Sequence, residues 1–274
     1  SVVSYQITQL EQELACILIY RSTRKLSLTD DGKTLYHYAQ QMLSAAEQGV
    51  NSLNKEKPQP IGKLSLSLPS ALTKSPITCK LAEFSKRYPQ ITLNIQYTDV
   101  RQNIIAQGID LAIRAGEMNN STLKMKKIGE IKRLLVCSVG YFAKQQVVKR
   151  PEELSKWQWV KLSMLPNYRS LINYGNSNTK DKDKDKNKEE INIHFNHQIT
   201  VDNVEAMTQF CLQGCGLATP PDYLVNNAIK DKILVQVFPN WQVPAVPLYA
   251  TWPNNHQENN NTRLLIDHLL ADKS

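Results

Sequence analysis

The chain has 274 residues, enough for one large core or two smaller ones, and its 41% hydrophobic and 21% charged residues exclude a disordered or fibrous protein. No apolar run is long enough to span a bilayer, and no secretory signal opens the sequence. Lys and Arg number 33 against 25 Asp and Glu; this net charge of +8 permits nucleic-acid binding, but residues 1–58 are charge-balanced and the excess sits largely between Lys124 and Arg150.

Val3, Ile7, Leu10 and Leu14 recur at helical spacing and predict a helix over Ser1–Leu14. The first residue is Ser rather than Met and falls inside that helix, so the native start is expected to be missing. Arg21–Thr29 alternates basic or polar with apolar residues, as a small ribbon does. Thr29 before Asp30 and Asp31 predicts a capped helix N-terminus, with acids on the positive end of the dipole. The helix should run to about Asn54, with a heptad-like seam at Leu35, Ala39, Met42, Ala46 and Leu53. That seam is read as a homodimer contact; packing on the same chain is the alternative. Pro58–Gly62 reads as a linker.

From Lys63 strands and helices alternate. Leu64–Leu68, Ile91–Tyr97, Asp110–Arg114 and Leu134–Ser138 are predicted strands; helices follow through Leu81 and Phe84, near Ile104 and from Gly140. This order implies an α/β fold with a mostly parallel sheet. Residues 176–190 are a low-complexity polyampholyte and are expected to be a disordered loop. Beyond it, a strand ends at Val201 and a helix covers Asn203–Gly214. Strands are expected at Gly216–Thr219, Ile233–Phe238 and Leu248–Trp252, and a closing helix at Arg263–Leu270, with Asn254, Asn255 and Asn259–Asn261 in the loop before it. Cys16, Cys79, Cys137, Cys211 and Cys215 match no disulfide or zinc spacing, which favours the cytoplasm. Cys211 and Cys215 share a helical face and read as small core residues rather than a redox pair.

Ser1, Val3, Ser4, Ile7, Leu10, Glu11, Leu14, Leu18, Arg21, Arg24, Leu26, Leu28, Thr29 and Gly32 fall in register with the pattern S-x-V-S-x-x-I-x-x-L-E, L-F-x-R, R-x-L-x-L-T-x-x-G. On these residues, and on the segments Leu66–Ile77, Ile109–Gly116, Leu135–Lys144 and Val201–Val225, the chain resembles the LysR-type transcriptional regulators over essentially its whole length. Ala15 stands where that family has glycine, Ile19 where it has an aromatic, and Tyr5 where it often has arginine. The resemblance implies a partial winged helix-turn-helix (1–29), a linker and dimerisation helix (30–58) and an effector-binding domain (59–274). The last would comprise two Rossmann-like subdomains of periplasmic-binding-protein type, about 61–136 with 239–274, and about 137–238. It also implies a regulator of double-stranded DNA, acting as a homodimer or homotetramer and sensing a small-molecule effector. With the helices before Ser1 absent, the chain as it stands is expected to bind DNA poorly.

Ser1, Ser4 and Tyr5 would then lie near base edges, and Arg21, Thr23, Arg24 and Lys25 against phosphate; without the resemblance a solvated face would be preferred. Ser70 and Thr73 follow a strand and open a helix, where hydroxyls and free N–H groups suit an anion or simply cap. Arg114 ends a strand at the expected cleft and would pair with an acidic effector, or with a surface acid. Asp202 and Asn203 would face the cleft from the other side, with Tyr97 and Ser138 as further candidates. No cofactor or metal is implied: His194 and His197 lack acidic or cysteine company, and Gly214-x-Gly216 runs from helix to strand, the reverse of a dinucleotide loop. No catalytic set converges, so an enzyme is not expected. The rival readings are a solute-binding protein on the same fold and a silent remnant.

Overall fold

The computed structural model describes residues 2–21, 26–52, 60–100, 102–117, 123–174, 188–254 and 260–271. Helix α1 (Val2–Glu13) is followed by an antiparallel ribbon, β1 (Ile19–Arg21) with β2 (Leu26–Leu28), and by the long helix α2 (Asp30–Ser52). The Thr29 hydroxyl caps α2 as its sequence predicts: Oγ1 accepts from the Gly32 N–H at 2.9 Å and donates to the Ile17 carbonyl at 2.6 Å.

The first lobe is a five-stranded mixed sheet in the order β4-β3-β5-β13-β6, built from β3 (Gly62–Leu68), β4 (Ile91–Tyr97), β5 (Leu111–Ala115), β6 (Lys124–Arg133) and, from near the chain's end, β13 (Val243–Trp252). Between β3 and β4 come a short 3₁₀ turn (Ser70–Lys74) and helix α3 (Pro76–Arg87), which starts on a proline at its first turn. The alternation Leu64, Leu66, Leu68 places three leucines in a core with Leu72, Leu81, Phe84, Leu265 and Leu269. Only the β3–β4 and β3–β5 pairs are parallel; β13 runs antiparallel to β5 and β6, so the sheet is less parallel than the element order predicts. Strand β6, absent from the sequence reading, is an edge carrying Lys124, Lys126, Lys127 and Lys132. Lysines on an edge strand oppose strand addition by other chains, which accounts for part of the local charge excess without DNA. Residues 104–108 form turns rather than the expected helix.

The second lobe takes β7 (Val136–Ser138), α4 (Val139–Phe142), β8 (Trp159–Leu162), β9 (Tyr168–Asn173), β10 (Glu189–His194), β11 (His197–Val201), α5 (Val204–Leu212), α6 (Asp222–Lys230) and β12 (Leu234–Gln236). Strands β8 and β11 are parallel; β9–β10 and β7–β12 are antiparallel pairs. Glu189 and Glu190, expected in a disordered loop, belong to β10, while residues 175–187 lie outside the described residues. Gly216–Thr219 contributes isolated bridges rather than a strand. Helix α7 (Asn260–Leu270) closes the chain against the first lobe; Asn260 and Asn261, expected in the preceding loop, are its first residues, and the Asn261 amide donates to the Ile61 carbonyl at 2.9 Å.

The chain crosses between lobes at Arg133–Val136 and again before Val243. Here the Leu134 N–H donates to the Pro220 carbonyl at 3.0 Å, and Ile172 and Gln242 exchange backbone hydrogen bonds at 2.9 and 2.7 Å. The register of β13 shifts between Val243 and Val246, and this irregularity accommodates Pro244 inside the sheet.

Candidate functional site

Two places carry the polar groups singled out in the sequence. The first is the N-terminal module. Helix α1 has no buried residue, and Ser4 and Tyr5 are exposed on it; Ser4 accepts from the Thr8 hydroxyl through its carbonyl at 2.9 Å. The Glu11 carboxylate accepts from the N–H groups of Leu18 and Ile19 at 2.8 and 3.1 Å, which ties α1 to β1. Gly32 explains its own place in the motif: a Cβ there would lie 2.0 Å from the Leu18 carbonyl oxygen, so only glycine lets α2 rest on the turn before β1. Arg21 ends β1, while Ser1, Thr23, Arg24 and Lys25 lie outside the described residues.

The second is the cleft between the lobes. Its mouth is formed by the Ser70–Lys74 turn facing the start of α5. The Ser70 N–H donates to one Asp99 carboxylate oxygen at 3.0 Å, and the Ser70 hydroxyl donates to the other. The donors expected to meet an anion therefore already hold a carboxylate of the chain itself. Asn203 caps α5, accepting from the Ala206 N–H at 3.0 Å, and its amide donates across the cleft to the Ser70 hydroxyl at 3.2 Å. The structure thus brings Ser70 and Asn203 together.

Two more contacts bridge the lobes. The Tyr223 hydroxyl of α6 donates to the Ala71 carbonyl at 2.7 Å, and Lys74 lies 3.4 Å from the Glu205 carboxylate. Burial pushes the Tyr223 phenol well above its ordinary value, with Asp222 and Glu205 adding to the shift, so it stays a neutral donor. Deeper on the first lobe, the Arg114 Nη1 donates to the Ser67 hydroxyl at 3.3 Å, and Ser67 donates to Gln102 at 3.0 Å.

The remaining candidates do not converge on Ser70. The Thr73 hydroxyl donates back to the Ser70 carbonyl at 2.7 Å, and Tyr97 shares a hydrogen bond of 2.6 Å with Thr78 inside the first lobe. Ser138 accepts from the Tyr141 N–H at 3.1 Å and caps α4, at the end of β7 away from the crossover. Asp202 is exposed in the turn between β11 and α5. Asp99, Tyr223 and Glu205 were missed by sequence reasoning: Glu205 and Tyr223 lie in the Val201–Val225 segment that carries the resemblance but had no local signal for a role, and Asp99 lies outside every such segment. Among the described residues no His, Cys, Asp and Glu group is placed to hold a metal, and no helix is long and apolar enough to cross a membrane.

Residues 57–273 match the family described as LysR substrate binding domain, and residues 1–33 match the bacterial regulatory helix-turn-helix protein, lysR family. The chain is similar to the HTH-type transcriptional regulator PtxR of Pseudomonas aeruginosa, 26% identical over 254 residues that cover 93% of this chain and 78% of the relative. It is similar to the HTH-type transcriptional regulator CrgA of Neisseria meningitidis, 29% identical over 280 residues, 99% of this chain and 87% of the relative. The solved structure of full-length AphB, the Vibrio cholerae virulence activator of the LTTR family, shares the fold with a TM-score of 0.63 at 24% identity, covering 98% of this chain and 89% of that one. The Neisseria meningitidis CrgA structure matches with a TM-score of 0.63 at 24% identity over 99% and 88% of the two chains.

Proposed function

Because the chain belongs to the LysR family of transcriptional regulators, as a DNA-binding regulator that senses a small-molecule effector, we propose that its effector acts on the contacts bridging the cleft between Ser70–Lys74 and the start of α5. The observation that carries this reading is the Asn203 to Ser70 hydrogen bond, made on the same hydroxyl that donates to Asp99. A ligand that competes for Asp99, Ser70 or Asn203 changes how firmly the lobes close. It shifts the equilibrium only by its differential affinity for the open and closed states. The closure change would then alter the spacing of DNA modules paired through α2, whose seam residue Met42 is 68% exposed and whose Leu43 is uncovered beside it.

We divide the chain into a DNA-contacting part (1–29), a linker helix (30–58) and an effector-binding part (59–274). Ser4 and Tyr5 are assigned to base edges, and Arg21, Thr23, Arg24 and Lys25 to phosphate. The chain works by binding rather than catalysis, in the cytoplasm where chromosomal DNA lies; its relatives are named as regulators. The solute-binding alternative has no use for the helix-turn-helix match over residues 1–33. Fluorescence anisotropy of the full-length protein on DNA from upstream of the gene, over a salt series, tests the reading. Binding should fall with salt by about 0.9 log units per phosphate contact, and Lys25→Ala should reduce that slope by about one contact. Binding that is insensitive to salt and to this substitution would refute the phosphate assignment.

A further inference from the structure

Two arginines that no motif singles out come together where the chain crosses between the lobes. Arg169, on β9, is only 4% exposed. Its Nε donates to the Thr219 hydroxyl at 3.2 Å, and its Nη1 donates to the carbonyls of Pro166 and Tyr168 at 2.8 and 2.7 Å. Its guanidinium lies 5.2 Å from the centre of the Phe195 ring, which is stacked on Trp159. Arg133 ends β6, forms a bridge with Pro221, and is half-buried. Its Nε and Nη2 donate to the Pro244 carbonyl at 3.3 and 2.8 Å. Arg169 thus holds Thr219 through its side chain while Arg133 pairs with Pro221 through its backbone, and the like charge of Arg133 adds to burial in drawing the Arg169 pKa down to about 10. At neutral pH both remain cations.

Every hydrogen bond that these guanidiniums make goes to a neutral oxygen. Among the described residues neither is in an ion pair, and Nη2 of Arg169 and Nη1 of Arg133 carry no hydrogen bond. The Thr219 hydroxyl, buried and accepting from Arg169, has its own proton to give. A lysine so placed would shed its charge; arginine does not. A buried cation beside a half-buried one, with no counter-charge, is costly, and the ring face of Phe195 compensates the buried one only in part. Neutral carbonyls orient the guanidiniums and leave the charge to be met by something else.

We propose that Arg133, Arg169 and Thr219 form an anion site at the interlobe crossover, taking an oxyanion, either the carboxylate of an organic acid or a phosphate. The site is distinct from the Ser70 mouth, where the chain supplies its own carboxylate. Because Thr219–Pro221 is hydrogen-bonded to Leu134 on one crossover and Arg133 holds Pro244 on the other, the anion pins both crossovers at once. Its binding is therefore linked to lobe closure, and this part of the proposal rests on the effector-sensing reading.

The test is thermal melting at constant ionic strength, with sodium chloride partly replaced by benzoate or by inorganic phosphate, for the parent protein and for Arg169→Met, Arg133→Met and Ser70→Ala. One oxyanion should raise the parent melting temperature saturably; which of the two does so separates the organic acid from the inorganic source. Arg169→Met and Arg133→Met should lose that rise, and Ser70→Ala should keep it. In chloride alone Arg169→Met should melt below the parent, since Thr219 and the carbonyls of Pro166 and Tyr168 lose their donor, so the oxyanion-dependent rise, not the chloride midpoint, reads the site. Titration calorimetry of Arg169→Lys and Thr219→Val covers the case of a variant that does not fold; each should bind the active oxyanion about tenfold or more weakly, the usual consequence of losing a charge-assisted contact. No stabilisation of the parent by either anion, or a rise retained in both arginine variants, overturns the site. A rise lost in Ser70→Ala but kept in both arginine variants also overturns it, by moving the oxyanion to the mouth, and leaves effector sensing intact.

Discussion

Replacing Tyr223 with Phe isolates one of the contacts that close the cleft. The ring packs against the first-lobe core and is retained by phenylalanine; only the hydroxyl that donates to Ala71 is lost. A net intramolecular hydrogen bond contributes about 1 kcal/mol, so the closed state should lose about fivefold in population relative to the open one. Adding Glu205→Gln removes the ion pair with Lys74, whose side chains are 64% and 37% exposed at 3.4 Å. Solvent screening reduces that pair to about 0.3 kcal/mol, and the two changes together should shift the ratio about tenfold. Pulsed electron-spin distance measurement between a label on exposed Cys79 of α3 and one on Lys230→Cys of α6 reads this, with Cys16 and Cys215 replaced by serine. The longer-distance population should grow in Tyr223→Phe and grow further in the double variant. A distribution unchanged in both would refute the idea that these contacts hold the lobes together.

Gly216→Ala should destabilise the second lobe by about 3 kcal/mol or more, because φ is +146° and a Cβ would lie 2.4 Å from the Gln158 carbonyl oxygen; urea unfolding followed by tryptophan fluorescence checks it. Thr29→Val should remove about 1–2 kcal/mol from the docking of α2 on the turn before β1, by loss of the cap and of the bond to Ile17, and should speed hydrogen exchange at Gly32 while leaving the lobes unaffected. Burial pushes the thiols of Cys137 and Cys211 from 9.0 up to about 12. They should resist a thiol reagent at pH 9 that modifies Cys79 quickly. A raised thiol pKa in the folded state gives stability that is full below pH 9.0 and lost as pH rises toward about 12, so the urea midpoint should decline across that window.

What the sequence discloses follows the range over which its patterns act. Thr29 and Gly32 sit within one turn of the helix they start, and their spacing alone announces the cap and the close approach. The leucine alternation of β3 likewise states its own buried face. Strand β6 is hidden because an edge strand needs few apolar residues and uses lysines for its own protection. Strands β9 and β10 flank a polyampholyte whose charge run spills into Glu189 and Glu190, so composition placed the boundary too late. Helix α6 begins right after Pro220–Pro221, which read as the end of a strand, although Pro221 is also the residue that leads into the helix at its N-cap.

The cleft follows the opposite logic. Ser70 was legible because a hydroxyl after a strand and before a helix has a local meaning, but that meaning did not include its partner. Asp99 lies 29 residues away, Asn203 lies 133 away, and the Tyr223 hydroxyl meets a carbonyl 152 residues distant. No periodicity links such positions; they are set by which strand ends the fold brings together. The same holds for Arg133 and Arg169. In the sequence Arg133 is one more cation beside a predicted strand and Arg169 stands in no predicted element, and the default for such residues is a solvated surface. Only the topology, with β13 returning beside β6 and the β9 segment bridging to Gln242, draws the two toward Thr219–Pro221 and away from solvent. The charges of this cleft are thus divided by the fold: at the mouth a carboxylate is held by neutral donors, and at the crossover cations are held by neutral acceptors. Among the described residues neither end is balanced in charge, and a charge imbalance of that kind is what a ligand can relieve in one lobe arrangement more than in another.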